Sequence, residues 1–122
     1  MALSTFILDS RASKRLVKQT AAGTTADSDV VGKAPSIFGI VIKNTQGGSA
    51  EAYIKLYNAK SATSATTPTM NLKVNAGQTL GIHFPDGLDF SSGLTLRAAR
   101  EQDETGSSTA PATNIEVVIL TD

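Results

Sequence analysis

From residue 37 onward, apolar side chains recur at every second position in short segments, and each segment ends at a turn signal. Ala52, Ile54 and Leu56 alternate with Tyr53, Lys55 and Tyr57. Met70, Leu72 and Val74 alternate with Asn71, Lys73 and Asn75, and Leu80, Ile82 and Phe84 with Gly81 and His83. Leu94, Leu96 and Ala98 alternate with Thr95, Arg97 and Ala99. A period of two is the geometry of a strand, whose successive side chains point to opposite faces. Gln46-Gly47-Gly48-Ser49, Ala76-Gly77 and the dense run from His83 to Leu94 supply the turns. Short strands separated by turn signals every eight to twelve residues or so predict an all-β fold, an antiparallel β-sandwich or jelly-roll-like single domain.

Two segments are apolar on both faces. In the first, Phe38, Ile40 and Ile42 share one face and Ile37 and Val41 the other. In the second, Ile115, Val117 and Ile119 lie opposite Val118 and Leu120. Both are expected to be internal strands, the first covered on both sides. The run Phe84-Pro85-Asp86-Gly87-Leu88 is expected to be a fixed corner between sheets, with Pro85 rigid and Gly87 at positive φ.

The first third reads differently. Residues 3–8 suggest a short strand. Arg11, Lys14, Arg15 and Lys18 then cluster, followed by a small, polar stretch from Gln19 to Asp29 without apolar period. This divides the chain into residues 1–36, a flexible N-terminal arm and loop with room for one or two strands, and residues 37–122, the sandwich core.

Composition narrows the function. The 122 residues include no cysteine and one histidine. That leaves no disulfide framework and no thiolate or three-histidine metal site. His83 sits mid-strand, between Ile82 and Phe84, where a strand residue on a polar face explains it better than a general base does. Asp86-Gly87 suits a β-turn, and the EF-hand spacing that would make Asp27, Asp29, Asp86 and Asp89 calcium ligands is absent. Glu101, Asp103 and Glu104 read as a solvated acidic loop. No phosphate-cradling glycine motif is present. The expectation is a protein that is not an enzyme and carries no cofactor.

Formal net charge is zero, so bulk electrostatics favour no nucleic-acid partner. Residues 1–60 hold eight Lys/Arg against four Asp/Glu, and residues 61–122 hold three against seven, an asymmetry suited to steering one subunit against the next. No apolar run approaches the roughly 18 residues of a membrane span, and Met1 to Asp9 lacks the basic start of a signal peptide. Aromatic residues are 5% of the chain, which argues against a deep pocket or a sugar-stacking platform. The candidate partner-binding residues are Arg11, Lys14, Arg15 and Lys18, for an acidic neighbouring surface, and Tyr53 and Tyr57, outward by parity and suited to anchor a contact.

Ala52-Tyr53-Ile54-Lys55-Leu56-Tyr57-Asn58-Ala59, the Thr-rich loop to Pro68, Leu72-Lys73-Val74-Asn75-Ala76-Gly77, and Phe84-Pro85-Asp86-Gly87-Leu88-Asp89-Phe90-Ser91-Ser92-Gly93-Leu94 with Arg97 resemble small virion proteins of tailed bacteriophages, many of marine bacteria and cyanobacteria. The resemblance spans about residues 37–121 and rests on strand and turn residues. It implies a compact β-sandwich attached to the phage particle. It further implies a capsid decoration, or cement, protein that binds the shell of major capsid protein, with other copies of itself as a second partner. Its location would then be the virion, after synthesis in the host cytoplasm. A tail, neck or fibre component, including a host-glycan adhesion module, is the alternative.

Overall fold

The protein is described by a computed structural model for residues 3–9, 14–48, 50–102, 105–106, 109–111 and 115–122, with the backbone alone for residues 4–9 and 14. It is an all-β sandwich of two antiparallel sheets. The strands are β1 (Leu3–Asp9), β2 (Lys14–Ala22), β3 (Ser36–Asn44), β4 (Ala52–Asn58), β5 (Met70–Val74), β6 (Thr79–Asp89), β7 (Leu94–Ala99) and β8 (Ile115–Thr121). The larger sheet has the order β1-β2-β8-β3-β6 and the smaller β5-β4-β7. A single bridge between Asp27 and Leu96 adds a rudimentary fourth strand beside β7.

The pairing is nested. β4 pairs with β5, β3 with β6, Asp27 with β7, and β2 with β8. The chain is therefore one long antiparallel ribbon with its tip between β4 and β5, rolled so that β8 also meets β3 and β7 also meets β4. This is the connectivity of a jelly roll, with β1 added outside it.

The core lies between the sheets. Ile40 and Ile42 from β3 and Ile115, Val117 and Ile119 from β8 meet Ile54 and Leu56 from β4 and Leu94 and Leu96 from β7, all essentially inaccessible. Each such side chain contributes about 1.5–3 kcal/mol by leaving water. Phe90 closes one end where the chain crosses from β6 to β7, its amide held by the Pro35 carbonyl at 2.8 Å.

Three expectations are corrected. The described part of residues 1–36 is no arm beside the sandwich: β2 lies hydrogen-bonded between β1 and β8 and buries Val17, Gln19 and Ala22. Its charges hide it, because Lys18 projects outward while Gln19 spends its polarity inside on Asp27 at 2.8 Å.

Phe38 and Ile37 exchange faces. β3 carries an extra residue at Phe38: Ile37 and Gly39 pair with the consecutive Thr121 and Leu120 of β8, and on the other side Phe84 to Gly87 of β6 bulge out at the same place. Ile37 thereby joins Ile40 and Ile42 in the core.

That same bulge corrects the third expectation. Phe84-Pro85-Asp86-Gly87-Leu88 does not carry the chain between sheets, since β6 pairs with β3 both before and after it. Gly87 does take positive φ, at 81°, and lies against the Phe38 ring. The crossing comes later, between Phe90 and Gly93.

Candidate functional site

The two internal strands with two apolar faces meet only one layer of protein. β3 and β8 turn Ile40, Ile42, Val117 and Ile119 inward, but Val41, Val118 and Leu120 face outward from the larger sheet. Val41 is 40% exposed, one of two large apolar side chains so exposed among the described residues.

Register sets the outer face in rows running across the sheet. The first row is Leu16, Leu120, Gly39 and His83 on β2, β8, β3 and β6. The second is Lys18, Val118, Val41 and Gly81 on the same strands. A third sets Glu116 on β8 against Lys43 on β3 and Thr79 on β6. Gly39 and Gly81 carry no side chain, so the apolar rows sink into an open groove of ≈ 380 Å³ walled by Leu16, Val41, Val118 and Leu120. A Cβ at Gly39 would meet only the Ile82 carbonyl oxygen, at 3.6 Å, and one at Gly81 would meet nothing within 4 Å. The backbone there tolerates side chains, and neither glycine has positive φ. The groove is thus a property of residue choice and not of strain. The charges flank it: Lys18 reaches Glu116 at 4.0 Å, with Lys43 exposed alongside.

The sequence-derived contact residues do not converge on this face. Arg11 lies outside the described residues. Lys14 opens β2, and only its backbone is described. Arg15 and Lys18 project to opposite sides of β2: Arg15 donates to the Val31 carbonyl at 3.5 Å, toward the loop before β3, while Lys18 borders the groove. A strand separates charges of opposite parity onto two faces, so Arg15 and Lys18 share no patch.

Tyr53 and Tyr57 face away from the core as parity requires, yet they are buried, at 6% and 1% exposure. Loops fold over the outer side of the smaller sheet. The Arg97 guanidinium donates to the Tyr57 hydroxyl at 3.1 Å and to the Thr24 carbonyl at 2.8 Å. The Lys55 ammonium donates to the Gln102 carbonyl at 3.3 Å and lies 5.9 Å from the Tyr53 ring centre. The Tyr53 hydroxyl donates to Glu51, itself paired with Lys73 at 3.0 Å. Both tyrosines serve the fold.

His83 points outward on β6, at the rim of the groove. Among the described residues no three His, Cys, Asp or Glu side chains gather into a possible metal site. Glu101 accepts the Thr109 amide on both carboxylate oxygens, and hydrogen bonding from the Thr109 side chain, before that from the backbone, holds its carboxyl below the ordinary range. Asp103 and Glu104 lie outside the described residues.

Sequence reasoning noted Val41, Val118 and Leu120 as a second apolar face but placed a covering layer on the first strand's face. The signal for the groove was Gly39 and Gly81 interrupting two strands at positions with no turn to make.

No family model matches this chain, and no curated protein matches it. Among solved structures, it is similar to the Drosophila melanogaster CENP-C bound to CAL1, at 8% identity and a TM-score of 0.24 over 97% of this chain and 79% of that one. That likeness is too slight to bear on fold or function.

Proposed function

We propose that this chain is a non-enzymatic structural protein of a tailed-phage particle, a decoration or cement protein that binds the outer shell of major capsid protein and stabilises it. The observation that carries the reading is the outer face of the larger sheet. Val41, Val118, Leu120 and Leu16 form an apolar strip on the outer face of a small sandwich. Contiguous apolar surface of this kind marks contact with other macromolecules. The strand and turn residues shared with small phage virion proteins supply the particle as the setting. A protein that binds the assembled shell and not its separated subunits favours assembly by mass action, and many copies multiply the effect.

The test is copy number in purified particles, by quantitative mass spectrometry against the major capsid protein. Near-stoichiometric amounts are expected. Only about a dozen copies per particle would replace the shell with the tail, neck or fibre, and absence from particles would remove the virion reading altogether.

A further inference from the structure

We infer that the apolar outer face of the larger sheet is covered by a second copy of this chain, through a two-fold axis running along the strands between β8 and β3. The inference concerns the free protein and does not rest on the phage reading; on a particle the shell would take this face in place of the second copy.

The argument is the register itself. Across the β8–β3 pair, Leu120 stands beside Gly39, Val118 beside Val41, and Glu116 beside Lys43. A two-fold axis parallel to the strands and between them keeps each row opposite itself and exchanges the two strands. Leu120 of one copy then faces Gly39 of the other, a branched side chain over a missing one. Val118 faces Val41. Glu116 faces Lys43, opposite charges at the end of the strip. One strand further out, Leu16 faces His83, and the Lys18 stem lies over Gly81. Every row is self-complementary in size or charge under this one operation. No other occupant is specified so closely by the surface.

The size is close to the minimum. Four strands about 4.8 Å apart, with about seven residues rising about 3.4 Å each, give a face of roughly 450 Å² in plan per copy. Two such faces approach the roughly 1,000 Å² total that a specific interface needs. The operation also leaves the strands of the two copies nearly parallel, the usual aligned packing of sheets. It supplies the second apolar layer that the pattern of β3 implies.

The experiment is sedimentation velocity and light scattering on the purified chain at about 100 µM, a concentration that populates a dimer of micromolar affinity. A species of twice 12.6 kDa is expected. Gly39→Gln fills the hole that Leu120 of the other copy enters, and should shift dissociation at least tenfold toward monomer. Its own fold should persist, since a Cβ there makes only an ordinary contact.

Glu116→Lys and Lys43→Glu should each weaken association alone, because each places two like pairs across the axis. Mixed together they should restore it, since both cross-axis pairs become opposite in the heterodimer. Charge repulsion within one chain cannot be relieved by mixing, so restoration identifies the contact between copies. A monomeric wild type, an unaffected Gly39→Gln dimer, or failure of the mixture to recover would each overturn the inference. A monomer whose groove residues are instead protected on isolated capsid shells would assign the face to the shell protein.

Discussion

Lys55 and Arg97 stand directly opposite each other on β4 and β7, two buried cations on the same side of a sheet. Like charges so placed repel. Here each is held by oxygen from a loop: Gln102 receives Lys55, and Thr24 receives Arg97. The pair fastens the loop after β7 and the loop after β2 over the smaller sheet.

Replacing Arg97 tests that fastening. Arg97→Met leaves the Thr24 carbonyl without the guanidinium and the buried Tyr57 hydroxyl without its donor. Two charge-assisted hydrogen bonds are lost, and the expected destabilisation is about 3 kcal/mol. Urea unfolding measures it. Hydrogen exchange around Thr24 should also quicken, and a variant with wild-type stability and protection would show that the loop is held by other contacts.

Asp27 sets a pH dependence. Burial raises its carboxyl above the ordinary 3.8, against the opposing effect of the Gln19 hydrogen bond. The folded chain therefore holds the proton more tightly than the unfolded one. That contribution to stability is full below about pH 3.8 and is lost as pH rises through the folded value. Asp27→Asn removes the charged form while keeping an acceptor for Gln19. The difference in stability, variant minus wild type, should grow as pH rises from 3.8 through the raised folded value and then level off. A difference flat across that window would mean that ionised Asp27 carries no burial cost.

Gly87 is the one glycine that is both at positive φ and against an aromatic side chain. Its φ is 81°, and a Cβ would lie 3.1 Å from the Phe38 ring. Gly87→Ala combines backbone strain with that clash and should cost about 1–3 kcal/mol. Gly77→Ala, at φ 71° with open space around it, should cost less. Thermal melts of the two variants compare them; equal losses would leave the Phe38 contact without weight.

Truncation separates β1 from β2. Removing residues 1–9 deletes an outer strand and should leave a folded sandwich. Removing residues through Ala22 also takes buried Val17 and the partner of β8, and should abolish cooperative unfolding. Circular dichroism melts decide, and a cooperative fold surviving the longer deletion would return β2 to the status of an appendage.

These cases show where the sequence was legible. Ala52, Ile54 and Leu56 announce the inward face of β4, because a period of two is local information. That Tyr53 and Tyr57 on the other face are buried depends on Thr24 and Gln102, which come from loops elsewhere in the chain and leave no local mark. β2 was obscured because its inward Gln19 is polar and its outward Leu16 apolar, so the alternation has the wrong chemistry. The exchange of Ile37 and Phe38 follows from a bulge at Phe38, fixed by pairing with β8 and β6, which lie far along the chain. Val41, Val118 and Leu120 were visible as a second apolar face, and their being open to solvent is a fact of layer count that periodicity does not encode.

The nested ribbon also orders the assembly of the fold. Within the ribbon from β2 to β8, β4 and β5 close the shortest loop, β3 and β6 the next, and Leu16 must find Leu120 across almost the whole sequence. Closing loops from the inside outward makes each later closure shorter in effect, because the enclosed chain has already condensed. β8 lies between β2 and β3, so the larger sheet stays in two pieces until residues 115–121 have been synthesised. A nascent chain without them would expose both the Leu16 and the Val41 edges, and the emergence of β8 would decide whether this sheet closes or aggregates.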